Sequence, residues 1–252
     1  MEQVETLLRL SDSLEKHTIA VRRMIHQKPE LAFEEYKTAG LVMQELRRMG
    51  IPYEESPVEP GIVAVIDSGK PGKLLMLRAD MDALPIEETA QVSFRSLNKG
   101  VMHACGHDCH AAIGLGTARI LASVRGQLHG TVKLLFQPGE EGVRGANAMV
   151  EAGHLDGVDY FAGTHVAPDN SADDGDITPG TYGSLATCKY DVYFRGKSAH
   201  AGGFPEMGRN AVLAAAHAVV GLAGISRHSG GITRVNVGSI RGGTSSNVVA
   251  DE

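Results

Sequence analysis

Short apolar runs alternate with stretches of helical periodicity through residues 1–180, and this alternation restricts the fold more than any other feature. Val4, Leu7, Leu8, Leu14, Ile19, Val21 and Ile25 recur at helical spacing. Lys28-Pro29 stops that helix, because proline disfavours helical backbone in the residue before it. Residues 34–49 read as a second helix closed by Gly50. Apolar runs at 62–66 and 74–77, split by Gly69-Lys70-Pro71-Gly72, read as two strands joined by a turn. Further strands are expected at 131–136 and 160–164, and helices at 108–124 and 146–152. Strands alternating with helices imply a layered α/β domain.

The pattern changes near Thr178. Residues 171–183 are rich in Gly, Asp and Pro, a linker composition. An alternating strand at 186–194, a helix at 210–225 and a strand at 233–240 follow. This β-α-β piece is expected to begin a smaller second domain, residues 181–252.

The 24 basic and 30 acidic residues give a net charge of −6 with no basic run, which argues against a nucleic-acid partner. No apolar stretch approaches the roughly 18–20 residues of a membrane span. Residues 1–15 are acidic and amphipathic, unlike a signal peptide, so a cytoplasmic location is expected. The three cysteines, Cys105, Cys109 and Cys188, do not suggest a disulfide framework; a ligand or inert thiol fits better.

Chemistry gathers in four places. Residues 102–110 read M-H-A-C-G-H-D-C-H, just before a predicted helix. Thiolate and imidazole suit zinc-like divalent ions, and a helix N-terminus favours the thiolate. Cys105 and His107, two apart, would point the same way in an extended loop. A structural zinc on Cys105, Cys109 and two histidines is an alternative, as is chance crowding around a buried cysteine. Gln137-Pro138-Gly139-Glu140-Glu141 follows a strand. Such a pair usually lies on a solvated surface, but next to a metal one carboxylate could bind it while the other takes a proton from water. His165 also follows a strand, where a lone histidine is more often structural. In Arg78-Ala79-Asp80-Met81-Asp82, the two aspartates are expected on opposite sides, one orienting a ligand histidine. Three clusters follow strands and the fourth opens a helix at the same edge, where sites of open α/β sheets gather. A single-zinc deaminase would need H-x-E and P-C-x-x-C, and neither occurs.

Together these residues resemble the metal-dependent aminoacylase and carboxypeptidase family, in the branch of bacterial hippurate hydrolases and plant auxin-conjugate hydrolases. The motifs are R-A-D-M-D-A-L-P at 78–85, M-H-A-C-G-H-D at 102–108, F-Q-P-G-E-E at 136–141 and T-H ending at His165. I-H-Q-K-P-E-L-A-F-E-E at 25–35, G-K-S-A-H-A at 196–201 and N-V-V-A at 247–250 also match. The resemblance implies a catalytic α/β domain with a central, mostly parallel sheet, plus the start of a smaller α+β dimerisation or lid domain. It implies two divalent metal ions, zinc or manganese first and cobalt or nickel next. Cys105, His107, Glu141 and His165 would be ligands, with Cys105 bridging. Glu140 would be the general base and then protonate the leaving amine. His200 would stabilise the oxyanion across a homodimer, Asp82 would support a ligand, and Asn247 would touch substrate. The implied substrate is an N-acyl or N-aroyl amino acid. His200 to Ala211, H-A-G-G-F-P-E-M-G-R-N-A, with T-R-V-N-V-G at 233–238, looks more like the p-aminobenzoyl-glutamate hydrolases.

Family members continue past the position of Glu252, with a further ligand histidine, and no histidine after His228 matches it. The expectation is a fragment or truncated product. The alternative function is an inactive homologue that binds or dimerises.

Overall fold

The computed structural model describes residues 2–142, 144–167, 175–178, 180 and 186–252. It divides into two compact units, Met1–Asn170 and Ser171–Glu252.

The first unit runs α1 (Glu2–His26), α2 (Tyr36–Met49), β1 (Tyr53–Glu55), β2 (Ile62–Asp67), β3 (Leu74–Asp80), α3 (His107–Ser123), β4 (Thr131–Gln137), α4 (Gly145–Glu151) and β5 (Tyr160–Gly163). The sheet order is β1-β2-β4-β3-β5. β3 pairs parallel with β4 and β5, whereas β2 is antiparallel to β1 and β4. Four strands therefore share one direction and β2 opposes them, a mixed α/β architecture. β4 enters between β2 and β3, so the turn at 69–72 joins strands that do not pair.

Side chains of a strand alternate between faces. Ile62, Ala64, Ile66, Leu134 and Phe136 enter a core shared with Val21 and Ile25 of α1, Val42 and Leu46 of α2, and Leu115 of α3. Their neighbours Val63 and Leu135 join Met76 and Met149 in a smaller core on the other face. Burying a side chain such as Phe136 contributes about 1.5–3 kcal/mol. The predicted stripe on α1 is only partly used: Val21 and Ile25 are buried, while Val4, Leu7 and Leu8 are exposed.

Local signals explain the helix ends. Gly50 adopts the left-handed conformation that closes α2. Glu30 accepts the amides of Lys37 and Thr38 at 2.9 Å, meeting two of the free donors at the start of α2. No helix among the described residues is long and apolar enough to cross a membrane.

In the second unit, α5 (Ala211–Ala223) is capped by Asn210, whose Oδ1 accepts the amide of Leu213 at 2.9 Å. The strands expected at 186–194 and 233–240 do not form. Alternation marks a sheet face, but a strand exists only when a neighbour takes its backbone hydrogen bonds. Tyr190, Tyr193 and Val235 stay exposed, and neither segment pairs in a ladder among the described residues. Most of the predicted linker at 171–183 lies outside the described residues.

Candidate metal centre

Because β3, β4 and β5 run parallel, their carboxyl ends reach one edge. Asp80 at the end of β3 is in register with Gln137 at the end of β4. His165 follows the end of β5, and α3 begins at His107. The four sequence clusters therefore meet.

Ligand-type atoms of Cys105, His107 and His165 lie within 4.8 Å of one another, as do those of His107, Glu140 and Glu141. Cys105 Sγ is 3.3 Å from His165 Nε2. Cys105 and His107 share the cluster by a bend, not an extended loop: Gly106 between them has φ +85° and opens α3. A Cβ there would lie 2.2 Å from Val166 Cγ2, so the bend needs glycine on two counts.

Asp82 binds two pieces of the cluster. Its Oδ1 accepts from His107 Nδ1 at 3.1 Å and its Oδ2 from the Glu141 amide at 2.8 Å. Asp80 Oδ2 lies 3.7 Å from His107 Nε2. The two aspartates thus face the same histidine, correcting the expectation of opposite sides. Residues two apart in extended chain share a face.

Charge sets the local acidities. Burial would raise both aspartates; for Asp82 the hydrogen bonds from His107 and from the Glu141 and Glu140 amides together outweigh it, and for Asp80 the bond from His110 and the His107 and Arg78 charges together do, so both are lowered. Burial would lower His107, but Asp82, Asp80 and Glu141 raise it. Burial, then the charges of Glu141, Glu140 and Asp80, push the Cys105 thiol up to about 12. Without a metal, then, burial and the neighbouring carboxylates favour the thiol, contrary to the expectation that the helix N-terminus favours thiolate. A divalent cation inverts that balance, because a coordinating thiol is deprotonated outright.

The donor set fits such an ion. His107 Nε2 and Glu141 Oε1 are buried with no hydrogen-bond partner. Buried polar atoms are normally paired, so orphans converging on one point mark a place for a ligand. Each of His107 and His165 donates Nδ1–H to oxygen, to Asp82 and to the Val166 carbonyl, which turns Nε2 inward.

Three residues with no role assigned from sequence belong to the same region. His110 lies one turn along α3 from His107 and bonds Asp80 Oδ1 at 2.5 Å; the i, i+3 spacing was its signal. Glu35, fully buried, accepts the Gly139 amide at 2.8 Å beneath the Glu140–Glu141 turn. His103 is buried with both ring nitrogens unpartnered, and burial holds its pKa down at about 4. Cys109 does not join the metal-type groups found among the described residues.

His200 and Asn247 lie in the second unit. His200 pairs with Val248 in an isolated bridge, and the Ala201 amide donates to the Asn247 carbonyl at 2.9 Å. His200 Nδ1 accepts amides from Gly202 at 3.1 Å and Gly203 at 2.9 Å. The neutral ring therefore carries its proton on Nε2, an exposed donor.

A parallel sheet edge crowded with imidazole, thiol and paired carboxylates forms a candidate metal centre. The profile of peptidase family M20/M25/M40 matches residues 76–238, and the chain belongs to that family. It is 42% identical over 274 residues to an indole-3-acetyl-aspartic acid hydrolase of Enterobacter agglomerans, covering 90% of this chain and 62% of the relative. It is 40% identical over 292 residues to one of the subunits of p-aminobenzoyl-glutamate hydrolase from Escherichia coli K12, covering 98% and 66%. A solved dinuclear metal-binding M20 peptidase of Bacillus subtilis superimposes with a TM-score of 0.62 at 31% identity, covering 95% of this chain and 62% of that one. The chain thus spans just under two thirds of the length of these relatives.

Proposed function

We propose that the protein is a metal-dependent amidohydrolase that cleaves the amide bond of N-acyl or N-aroyl amino acids. The observation that carries this reading is the convergence of His107 Nε2 and Glu141 Oε1, both buried and unpartnered, with Cys105 and His165.

In this reading Cys105, His107, Glu141 and His165 would hold two divalent ions. Zinc or manganese suits the mixed sulfur, nitrogen and oxygen donors, and cobalt or nickel is the next choice. When bound, the ions lower the pKa of water to near 7 and polarise the substrate carbonyl. Glu140 takes the proton of the attacking water on its carboxylate and delivers it to the departing amide nitrogen. The division of labour with Glu141 is supported by exposure: the Glu140 side chain is 39% exposed and that of Glu141 is 22%. A general base must reach solvent and substrate, while a ligand can be buried. Asp82 holds His107 and the Glu141 backbone in place. His200, reaching across a homodimer, offers Nε2–H to the tetrahedral oxyanion, and such a donor is worth about 2.7–4 kcal/mol at the transition state. Asn247 contacts substrate.

The wider reading is a cytoplasmic homodimer. Residues 1–180 form the metal-binding part of the catalytic domain, and residues 181–252 belong to a dimerisation or lid domain. The relatives named for p-aminobenzoyl-glutamate and indole-3-acetyl-aspartate favour an aroyl or arylacyl group on an acidic amino acid.

Glu140→Gln and Cys105→Ala test the roles. Glu140→Gln is expected to keep its metal and lose at least about 100-fold in turnover. Cys105→Ala is expected to lose metal. Equal metal loss in both variants contradicts the assignment of Glu140 as base.

A further inference from the structure

We propose that His110 is a positioning residue, not a metal ligand, and that it sets the ring of His165 through the backbone of Val166. The inference rests on the metal-site reading, because His165 is a ligand only there.

The atoms Asp80, His107 and His110 present would by proximity alone make another metal-type group. Hydrogen bonding separates the two histidines. The Val166 amide donates to His110 Nε2 at 2.9 Å. An amide can only donate, so Nε2 is the accepting nitrogen and the ring proton lies on Nδ1. Nδ1 then donates to Asp80 Oδ1 at 2.5 Å. Both nitrogens of His110 are thus committed, whereas His107 Nε2 is buried and unpartnered.

The same Val166 that donates to His110 accepts from His165. Its carbonyl takes the His165 Nδ1–H at 2.6 Å, leaving His165 Nε2 facing Cys105 Sγ at 3.3 Å. The Val166 side chain occupies the space over Gly106 that a Cβ would fill. Val166 is therefore held at its amide, its carbonyl and its side chain. A continuous relay runs from Asp80 at the end of β3, through buried His110 and the Val166 peptide, to the ring of His165. The His110 and His165 rings also meet edge to face, with centroids 4.6 Å apart. Partners that orient a ligand ring commonly change metal affinity 10- to 100-fold, roughly, when they are lost.

Two measurements test the relay. Long-range proton–nitrogen NMR spectra of the metal-free chain at about pH 8, above the ordinary imidazole pKa of about 6.5, read the tautomers directly. His110 and His165 are expected as Nδ1–H tautomers, and a His110 carrying its proton on Nε2 overturns the relay whatever the metal does. Zinc titration by calorimetry then compares His110→Gln, which keeps an acceptor for the Val166 amide, with His110→Phe, which has none. His110→Phe is expected to weaken zinc binding about 10- to 100-fold, and His110→Gln to stay close to the parent chain. His110→Gln losing zinc as completely as His107→Ala would make His110 a ligand. His110→Phe at parental affinity would remove its positioning role. A parent chain that takes up no zinc but shows both Nδ1–H tautomers refutes the metal reading and supports the relay.

Discussion

Asp82 and His107 meet at 3.1 Å, carboxylate Oδ1 to ring Nδ1, in a setting where both side chains are buried. The second oxygen of Asp82 holds the Glu141 amide at 2.8 Å, so one carboxylate fixes two proposed ligands from different elements. Asp82→Ala is expected to lower metal affinity about 10- to 100-fold, as loss of a ligand's supporting hydrogen bond commonly does. Competition with a chelator measures it. Unchanged affinity would mean that Asp82 is dispensable for the site.

Gly106→Ala is expected to damage both fold and site. The residue has φ +85°, and its new Cβ would lie 2.2 Å from Val166 Cγ2. Strain of this kind costs on the order of 1–3 kcal/mol, before the clash is counted. Urea denaturation and metal content read the two effects. A variant with parental stability and metal would show that the bend tolerates a side chain.

Much of this site is legible in the sequence, because strand ends and helix starts can be read from apolar runs and their punctuation. Asp80, Gln137 and His165 fall at one edge once β3, β4 and β5 are parallel. The three-residue β1 is not legible, because so short a run carries no periodicity. Glu35 is out of reach for another reason. Its partner Gly139 lies 104 residues away, and no local pattern predicts that a carboxylate will be buried under a distant turn. The strands expected in the second unit illustrate the reverse limit. Alternation reports which faces a segment could bury, while pairing depends on a neighbour that the segment itself does not encode.

Glu35 should make stability depend on pH in the metal-free chain. Burial, with the charge of Asp82 adding to it, raises its pKa from 4.5 to about 7, against the amides of Gly139, Glu35 and Phe33. The folded chain then holds this proton more tightly than the unfolded chain. Stability from this group is full below about pH 4.5, falls as the pH rises to about 7, and is level above that. Glu35→Gln keeps an oxygen for the Gly139 amide and removes the titration. Its gain over the parent should grow from about pH 4.5 to about pH 8, reaching at most about 3 kcal/mol. Urea denaturation at the two pH values checks this, and a gain independent of pH contradicts it.

Asp108 ties α1 to the first turn of α3. Its Oδ2 lies 2.6 Å from Arg22 Nε and 2.8 Å from His26 Nδ1, and its side chain is fully buried. Removing one member of a buried ion pair leaves the rest uncompensated. Asp108→Ala is expected to destabilise the chain by about 3 kcal/mol. A denaturation shift below about 1 kcal/mol, within the range of ordinary substitutions, would show that the triad contributes little.

A divalent metal held by Cys105, His107, Glu141 and His165 is expected to drive amide hydrolysis. Elemental analysis of the purified chain, with N-acetyl, N-benzoyl and p-aminobenzoyl amino acids assayed on the same sample, tests it most directly. Bound divalent metal is predicted, with hydrolysis that chelation abolishes and added metal restores. Hydrolysis that persists after complete removal of metal, or a chain that neither holds nor takes up metal, would contradict it.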